Sequence, residues 1–258
     1  MIGHRDSEII SGTLEAAQEH SLPHETLTAQ EIRSRFPSLT PGDEMMGVFE
    51  TEAGYLVPEA CLEAHFKMAE QHDASLRFEE AMVSWKEVDN SECISVVTSR
   101  GNTFLTKKLV LSVGAWAPEV YGDQIPISLE VERRVLFWFR PSTSDGGGGI
   151  EQFKDIPIFL WDASTEGNMC QFYGFPSEKS GAYSHTVKIA LHQAIGSTLN
   201  NAEPAPASCT PSTIYRQVCS TEVDYMQGIL QGKVPALADG SMDVVETCLY
   251  TITPDEHL

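Results

Sequence analysis

Thr247-Cys248-Leu249-Tyr250-Thr251-Ile252-Thr253-Pro254-Asp255-Glu256-His257-Leu258 is the stretch on which the reading of this chain turns. Leu249 through Thr253 has the β-branched and aromatic content of a strand. Pro254-Asp255 then predicts a turn, because proline fixes φ and aspartate bonds its own backbone two residues on. A strand and turn of this kind ordinarily lead into a further element. Cys248 lies two residues before Tyr250, so both side chains belong to one face of the strand. Taken by itself, Cys248 is a buried structural thiol, since free cysteine behaves as a small hydrophobe.

Upstream of that strand the pattern is mostly β. Thr186-Val-Lys-Ile-Ala-Leu-His192 alternates so that Lys188, Ala190 and His192 share one face. Phe159-Leu160-Trp161 and Cys170 through Pro176 are short strands with aromatic faces, and residues 126–141 give two more, ending in Val135-Leu-Phe-Trp-Phe-Arg-Pro141. Ser142 to Gly149, with its run of glycines, is a flexible loop, and the Pro-, Ala-, Ser- and Thr-rich residues 196–212 form a long one. Ser220 to about Gly232 is helical, and the chain returns to strand through Val244 and Val245.

Nearer the N-terminus, residues 7–20 have helical spacing at Ile9, Ile10, Leu14 and Ala17. Thr28-Ala-Gln-Glu31 is a capping box that opens a short helix. Pro58 opens another, running to about His72, with Cys61, Leu62, Phe66 and Ala69 as its buried stripe. Met82 to Trp85, Glu92 to Thr98 and Thr103 to Thr106 are strand-like, with a hairpin turn at Arg100-Gly101-Asn102. Leu109-Val110-Leu111 has the continuous apolar character of a strand covered on both faces. Gly114 lets the backbone approach something closely, and Pro118 starts a helix.

Composition narrows the function classes. The formal charge of −20 comes from scattered Asp and Glu, which disfavours nucleic acid and anionic membrane as partners. No stretch approaches the roughly 18 apolar residues of a membrane span. Six widely spread cysteines without C-x-x-C spacing predict reduced thiols in an intracellular compartment. The first residues lack the apolar run of a signal peptide, so the final Asp255-Glu256-His257-Leu258 is without the context that an endoplasmic-reticulum retrieval signal needs. No Gly-x-Gly-x-x-Gly is present to cradle a pyrophosphate at a helix N-terminus, and the glycines at 146–149 lack the strand–helix setting. No metal-ligand cluster and no Ser/His/Asp arrangement stands out. Lys188 on a strand is ordinarily a solvated edge residue, His192 a satisfied hydrogen-bonding residue, and Phe172 and Tyr173 core or pocket wall.

Several separate stretches resemble, in the same order, one family: the FAD-dependent amine oxidases of the monomeric sarcosine oxidase, N-methyltryptophan oxidase and L-pipecolate oxidase type (DAO-type). Cys248-Leu-Tyr-Thr-x-Thr-Pro-Asp-Glu-His257 is similar to the family's flavinylation segment. Leu109-Val-Leu-Ser-Val-Gly-Ala-Trp-Ala-Pro118 is similar to its strand–turn–helix element against FAD, and Glu52-Ala-Gly-Tyr-Leu-Val-Pro-Glu59 to the opening of its second helix. Phe172 to Ser177 and Val187 to His192 resemble its substrate-side strands. The resemblance implies a mixed α/β (α+β) fold, a remnant of an FAD/NAD(P)-binding Rossmann-like domain interleaved with an antiparallel-sheet substrate domain. Residues 1–72 and 125–245 would be the substrate domain; 73–124 and 246–258 would belong to the FAD side.

It also implies chemistry. Cys248 would carry FAD through a thioether. Lys188 would sit over the flavin and assist its reaction with oxygen, while His192, Tyr173 and Tyr250 would line the substrate cavity. Val83 and the turn holding Ser112, Gly114 and Trp116 would contact the adenosine and ribose. The reaction would oxidise an N-methyl or cyclic secondary amino acid to an imine, with oxygen reduced to hydrogen peroxide. The enzyme would be an intracellular, cytoplasmic monomer, or peroxisomal in a eukaryote, acting on a small amine and oxygen. The family's glycine-rich diphosphate-binding unit and a second substrate lysine have no counterpart here, so the chain is expected to be the middle of such an oxidase, cut at both ends and inactive. The competing readings are a short binding or regulatory product that no longer takes FAD and, for the parent, a flavin amino-acid oxidase or dehydrogenase without the covalent link.

Overall fold

A computed structural model describes residues 1–143, 148–166, 168–178, 181–193 and 209–255. The chain divides into two packing units, Met1–Gly54 with Gly114–Leu258, and Tyr55–Val113. The division into FAD and substrate sides expected above is one of ligand, a different property from packing.

The larger unit begins with β1 (Ile2–His4), α1 (Glu8–Glu19), β2 (Glu25–Thr28), α2 (Ala29–Arg35) and β3 (Met45–Phe49). The capping box predicted at Thr28 and Glu31 forms, with the Thr28 amide donating to Glu31 Oε2 at 2.7 Å and the Glu31 amide donating to Thr28 Oγ1 at 3.3 Å. In the smaller unit lie α3 (Pro58–Gln71), β4 (Met82–Glu87), β5 (Ile94–Thr98) and β6 (Thr103–Thr106). Then come α4 (Ala117–Tyr121), β7 (Glu130–Arg140), β8 (Phe159–Asp162), β9 (Gln171–Gly174), β10 (Val187–Leu191), α5 (Ser220–Leu230), α6 (Pro235–Ala238) and β11 (Ser241–Ile252).

Eight strands of the larger unit make one sheet in the order β11-β7-β10-β9-β8-β1-β3-β2, antiparallel at every step except β1 beside β8. Period-two alternation gives this sheet its core face. Val135, Phe137 and Phe139 of β7, Val187, Ile189 and Leu191 of β10, Phe172 of β9 and Trp161 of β8 are all buried on it. Met226 and Leu230 of α5 and Leu237 of α6 are fully buried in the same cluster. Each large side chain removed from water in this way contributes about 1.5–3 kcal/mol. Gly174 is needed for closeness, because a Cβ there would stand 2.5 Å from the Phe159 ring and 2.7 Å from Ile189 Cδ1.

One charge sits in this face. Arg133 is 5% exposed; its Nη1 lies 2.6 Å from Glu222 Oε1, and it donates to the Tyr215 and Gln217 carbonyls at 2.7 and 2.8 Å. Glu222 also accepts from the Cys219 amide at 3.0 Å, so the pair fastens the start of α5 to β7. At the far end of β11 the pairing with β7 shifts by one residue between Met242 and Val244. The residue left over, Asp243, accepts from Arg140 at 3.2 Å and bonds His185 Nε2 at 2.9 Å.

Four expectations are corrected. Residues 126–141 hold one 11-residue strand, β7, where two were expected, because the charged Arg133-Arg134 pair interrupts the apolar pattern without interrupting the ladder. Helix α3 forms, but none of its residues is buried; Leu62 is 54% exposed and Phe66 39%. Leu109-Val110-Leu111 belongs to no strand among the described residues, and Val110 is 84% exposed. An apolar run cannot by itself distinguish a doubly covered strand from an irregular segment. Gly114 is required by its φ of +53°, and a Cβ there would meet open space. The loop expected at 196–212 lies outside the described residues as far as residue 208, and the glycine loop does so at 144–147.

Removing one partner of a buried ion pair leaves a bare charge. Glu222→Leu is therefore expected to lower unfolding free energy in urea by about 3–5 kcal/mol, whereas Arg133→Met/Glu222→Leu recovers most of it. A double variant as unstable as the single one would refute this account of α5 docking.

Candidate functional site

Residues paired in register across an antiparallel ladder share a face. Cys248 is opposite Arg134, Tyr250 opposite Glu132, Lys188 opposite Trp138, and Ala190 opposite both Leu136 and Tyr173. These residues therefore occupy the side of the sheet away from Phe137 and Ile189. His192 follows directly on β10, where its amide donates to the Gln171 carbonyl at 2.8 Å. Its ring centroid is 5.9 Å from that of Tyr250. Five candidates from the sequence, Lys188, His192, Tyr173, Cys248 and Tyr250, thus come from β9, β10 and β11 and meet on one face, with β7 between β10 and β11.

The face is half-buried, which sets its protonation states. Burial, followed by the neighbouring Tyr250 and Cys248, holds the Tyr173 phenol protonated far above its ordinary range. Burial and then Arg134 push the His192 imidazole below its ordinary value, so it is neutral at pH 7. Burial raises the Cys248 thiol, opposed by the positive charges of Lys188 and Arg134. The Lys188 ammonium lies 5.2 Å from the ring centroids of both Trp138 and Phe175 and makes no ion pair among the described residues. It is a cation held by aromatic rings.

Arg134, Trp138 and Phe175 were not anticipated. The signal for Arg134 was present: two consecutive arginines inside a strand of Val, Leu, Phe and Trp have to be buried with partners. Gly114, Ala115 and Trp116 form a 3-10 turn beside β11, with Trp116 52% exposed. Ser112 and Val83 lie in the smaller unit; both are exposed, Val83 to 65%.

Residues 3–168 match the family model described as FAD dependent oxidoreductase. The chain belongs to that family. Among its relatives is the monomeric sarcosine oxidase of Streptomyces avermitilis, 35% identical over 257 residues, which cover all of this chain and 61% of that protein. N-methyl-L-tryptophan oxidase of Escherichia coli is 23% identical over 255 residues, 99% of this chain and 60% of the relative. The chain thus spans about three fifths of the length of these relatives. Its fold is that of the solved structure of NikD, an unusual amino acid oxidase (TM-score 0.70, 20% identity, 97% of this chain and 60% of that one). It is also that of glycine oxidase from Geobacillus kaustophilus (TM-score 0.67, 14% identity, 99% and 60%).

The FAD dependent oxidoreductase family implies a flavin, and the donor set here fits the ring end of one. A flat aromatic ring system suits a half-buried face bearing Tyr173, Tyr250 and Trp138, with a cation that has no carboxylate partner among the described residues and a thiol close by. The phosphate end has no glycine-rich cradle in this sequence.

The shifts fix the pH dependence of stability. His192 is lowered in the folded state, so between about pH 6.5 and its folded value the unfolded chain binds more protons, and stability falls as pH falls. Cys248 and Tyr173 are raised, so the unfolded chain releases their protons first and stability falls as pH rises above the ordinary thiol range. In urea titrations across pH, His192→Asn should flatten the acid arm and Cys248→Ser part of the alkaline arm. Unaltered arms would show that these groups are not buried as described.

Proposed function

We propose that this chain is the middle portion of an FAD-dependent oxidase of secondary amino acids of the sarcosine, N-methyl or pipecolate type, with segments of both its substrate and its FAD sides. The amine would leave as an imine and oxygen as hydrogen peroxide. The observation that carries the reading is the meeting of Lys188, Cys248, Tyr173, Tyr250 and His192 on one half-buried face. FAD, when bound, would supply the acceptor for the hydride, and so for the two electrons, lost from the amine carbon.

The residues divide the remaining tasks. Lys188 places a positive charge where negative charge develops on oxygen, in a site poor in water, where such a charge acts strongly. Neutral His192 can take a proton from an incoming ammonium, because only the neutral imidazole has a free acceptor nitrogen. The Tyr173 and Tyr250 hydroxyls would face the substrate and line its cavity. Cys248 would hold the flavin covalently through its sulfur. Val83 and the turn containing Ser112, Gly114 and Trp116 would meet the adenosine and ribose. A monomer in a reducing compartment, the cytoplasm or a peroxisome, agrees with six unpaired cysteines and with the lack, among the described residues, of a helix long and apolar enough to cross a membrane.

These 258 residues contain no phosphate cradle, and on their own they are proposed to hold FAD weakly and to be inactive. That same feature favours a second reading, a non-catalytic binding or regulatory product. Titrating the purified chain with FAD tests it: the visible spectrum should show little bound flavin, and mass spectrometry no flavin adduct on Cys248. A yellow protein with flavin on Cys248 and peroxide from sarcosine or pipecolate would show that the cradle is dispensable.

Where this segment is joined to a dinucleotide-binding unit, Lys188→Met should slow reoxidation of the flavin by oxygen on the order of 10²-fold. Anaerobic reduction by the amine should change far less. Stopped-flow traces showing equal loss in both half-reactions would sink the role given to Lys188.

A further inference from the structure

We propose that Arg134 is the positioning residue of this site: its guanidinium holds the Tyr250 ring and the His192 main chain in place and fixes a positive charge opposite Cys248. Arg134 is 5% exposed. Its Nε donates to the His192 carbonyl at 2.9 Å, its Nη2 pairs with Glu132 Oε2 at 2.6 Å, and its Cζ lies 4.6 Å from the Tyr250 ring centroid. Cys248 is its register partner across the β7–β11 ladder. A planar fork with five donors and a stacking face can do all of this at once, and an ammonium cannot. Its value to amine oxidation rests on the function proposed above; the arrangement itself does not.

The charged and titratable groups on the face around Cys248 come from four strands. β7 gives Arg134 and Glu132, β10 gives Lys188 and leads to His192, β9 gives Tyr173, and β11 gives Glu246 and Tyr250 on either side. Arg134 is buried and Glu246 exposed. Arg134 thus acts on Cys248 through little water, and Glu132 is the carboxylate that offsets it. The thiolate is the nucleophilic form of cysteine, so the charge beside Cys248 sets how readily it reacts.

Alkylation of the chain by iodoacetamide reads this without any flavin. The sulfur attacks the methylene carbon, iodide leaves, and the thiol proton goes to solvent. Peptide mass mapping across the thiol titration range gives a midpoint for Cys248 alone. Arg134→Met should raise that midpoint by about one unit, making alkylation below it roughly 10-fold slower. Arg134→Lys keeps the charge and should keep the midpoint, yet move the His192 ring resonances, because the stack on Tyr250 is lost. Glu132→Gln removes the offsetting carboxylate and should lower the midpoint. An unmoved midpoint in Arg134→Met would overturn the proposal. If that variant does not fold, Glu132→Gln decides, and a midpoint that stays or rises overturns it. Equal slowing of both half-reactions by Lys188→Met in the protein joined to a dinucleotide-binding unit would defeat the oxidase roles given to this face and leave these midpoints unaffected.

Discussion

Two arginines in succession on one strand must point to opposite faces, and β7 buries both. An unpaired charge in either place would cost several kcal/mol, so each face has to provide a carboxylate. Glu222 arrives from α5 on the core side, at 2.6 Å from Arg133. Glu132 arrives from the same strand on the other side, at 2.6 Å from Arg134. The first requirement decides where α5 docks and so which helix covers Phe137 and Phe139. The second leaves a neutralised ion pair beneath Tyr250 and next to Cys248. One dipeptide thereby ties the packing of the molecule to the electrostatics of its candidate site.

That electrostatic balance is uneven along the face. Around Arg134 the positive charge is matched by Glu132, whereas Lys188, one strand over, is held by the rings of Trp138 and Phe175. Aromatic rings attract a cation without cancelling its charge. A carboxylate in the same place would have paired it and left little field for a ligand. The face is therefore nearly neutral at one end and positive at the other, with Tyr173 and His192 uncharged between them.

Much of this was legible in the sequence, for identifiable reasons. Strands β8 and β9 alternate cleanly, and the capping box of α2 and the prolines of α3 and α4 are local signals with local causes. β1, with three residues, and β3, reading Met-Met-Gly-Val-Phe, are too short or too uniformly apolar to show a period, and both were missed. The apolar stripe assigned to α3 is present as a pattern, but a pattern does not say whether anything covers it. The five clustered site residues came from resemblance to a family, since a lysine, a histidine and two tyrosines on strands have bland readings of their own. Arg134 escaped because its importance lies in what it touches across three strands, which no linear spacing encodes.

The offset between Met242 and Val244 has a consequence for how this sequence can vary. Before it, odd-numbered residues of β11 oppose even-numbered residues of β7; beyond it, even opposes even. Were the two strands paired without that extra residue, Thr247 and Leu249 would share a face with Arg134. Cys248 and Tyr250 would then be turned inward against the helices. The sheet can thus absorb an exchange of almost any side chain near Asp243 more readily than the loss of that single position. What is kept there is a count, odd or even, and the thiol's side of the sheet is its remainder.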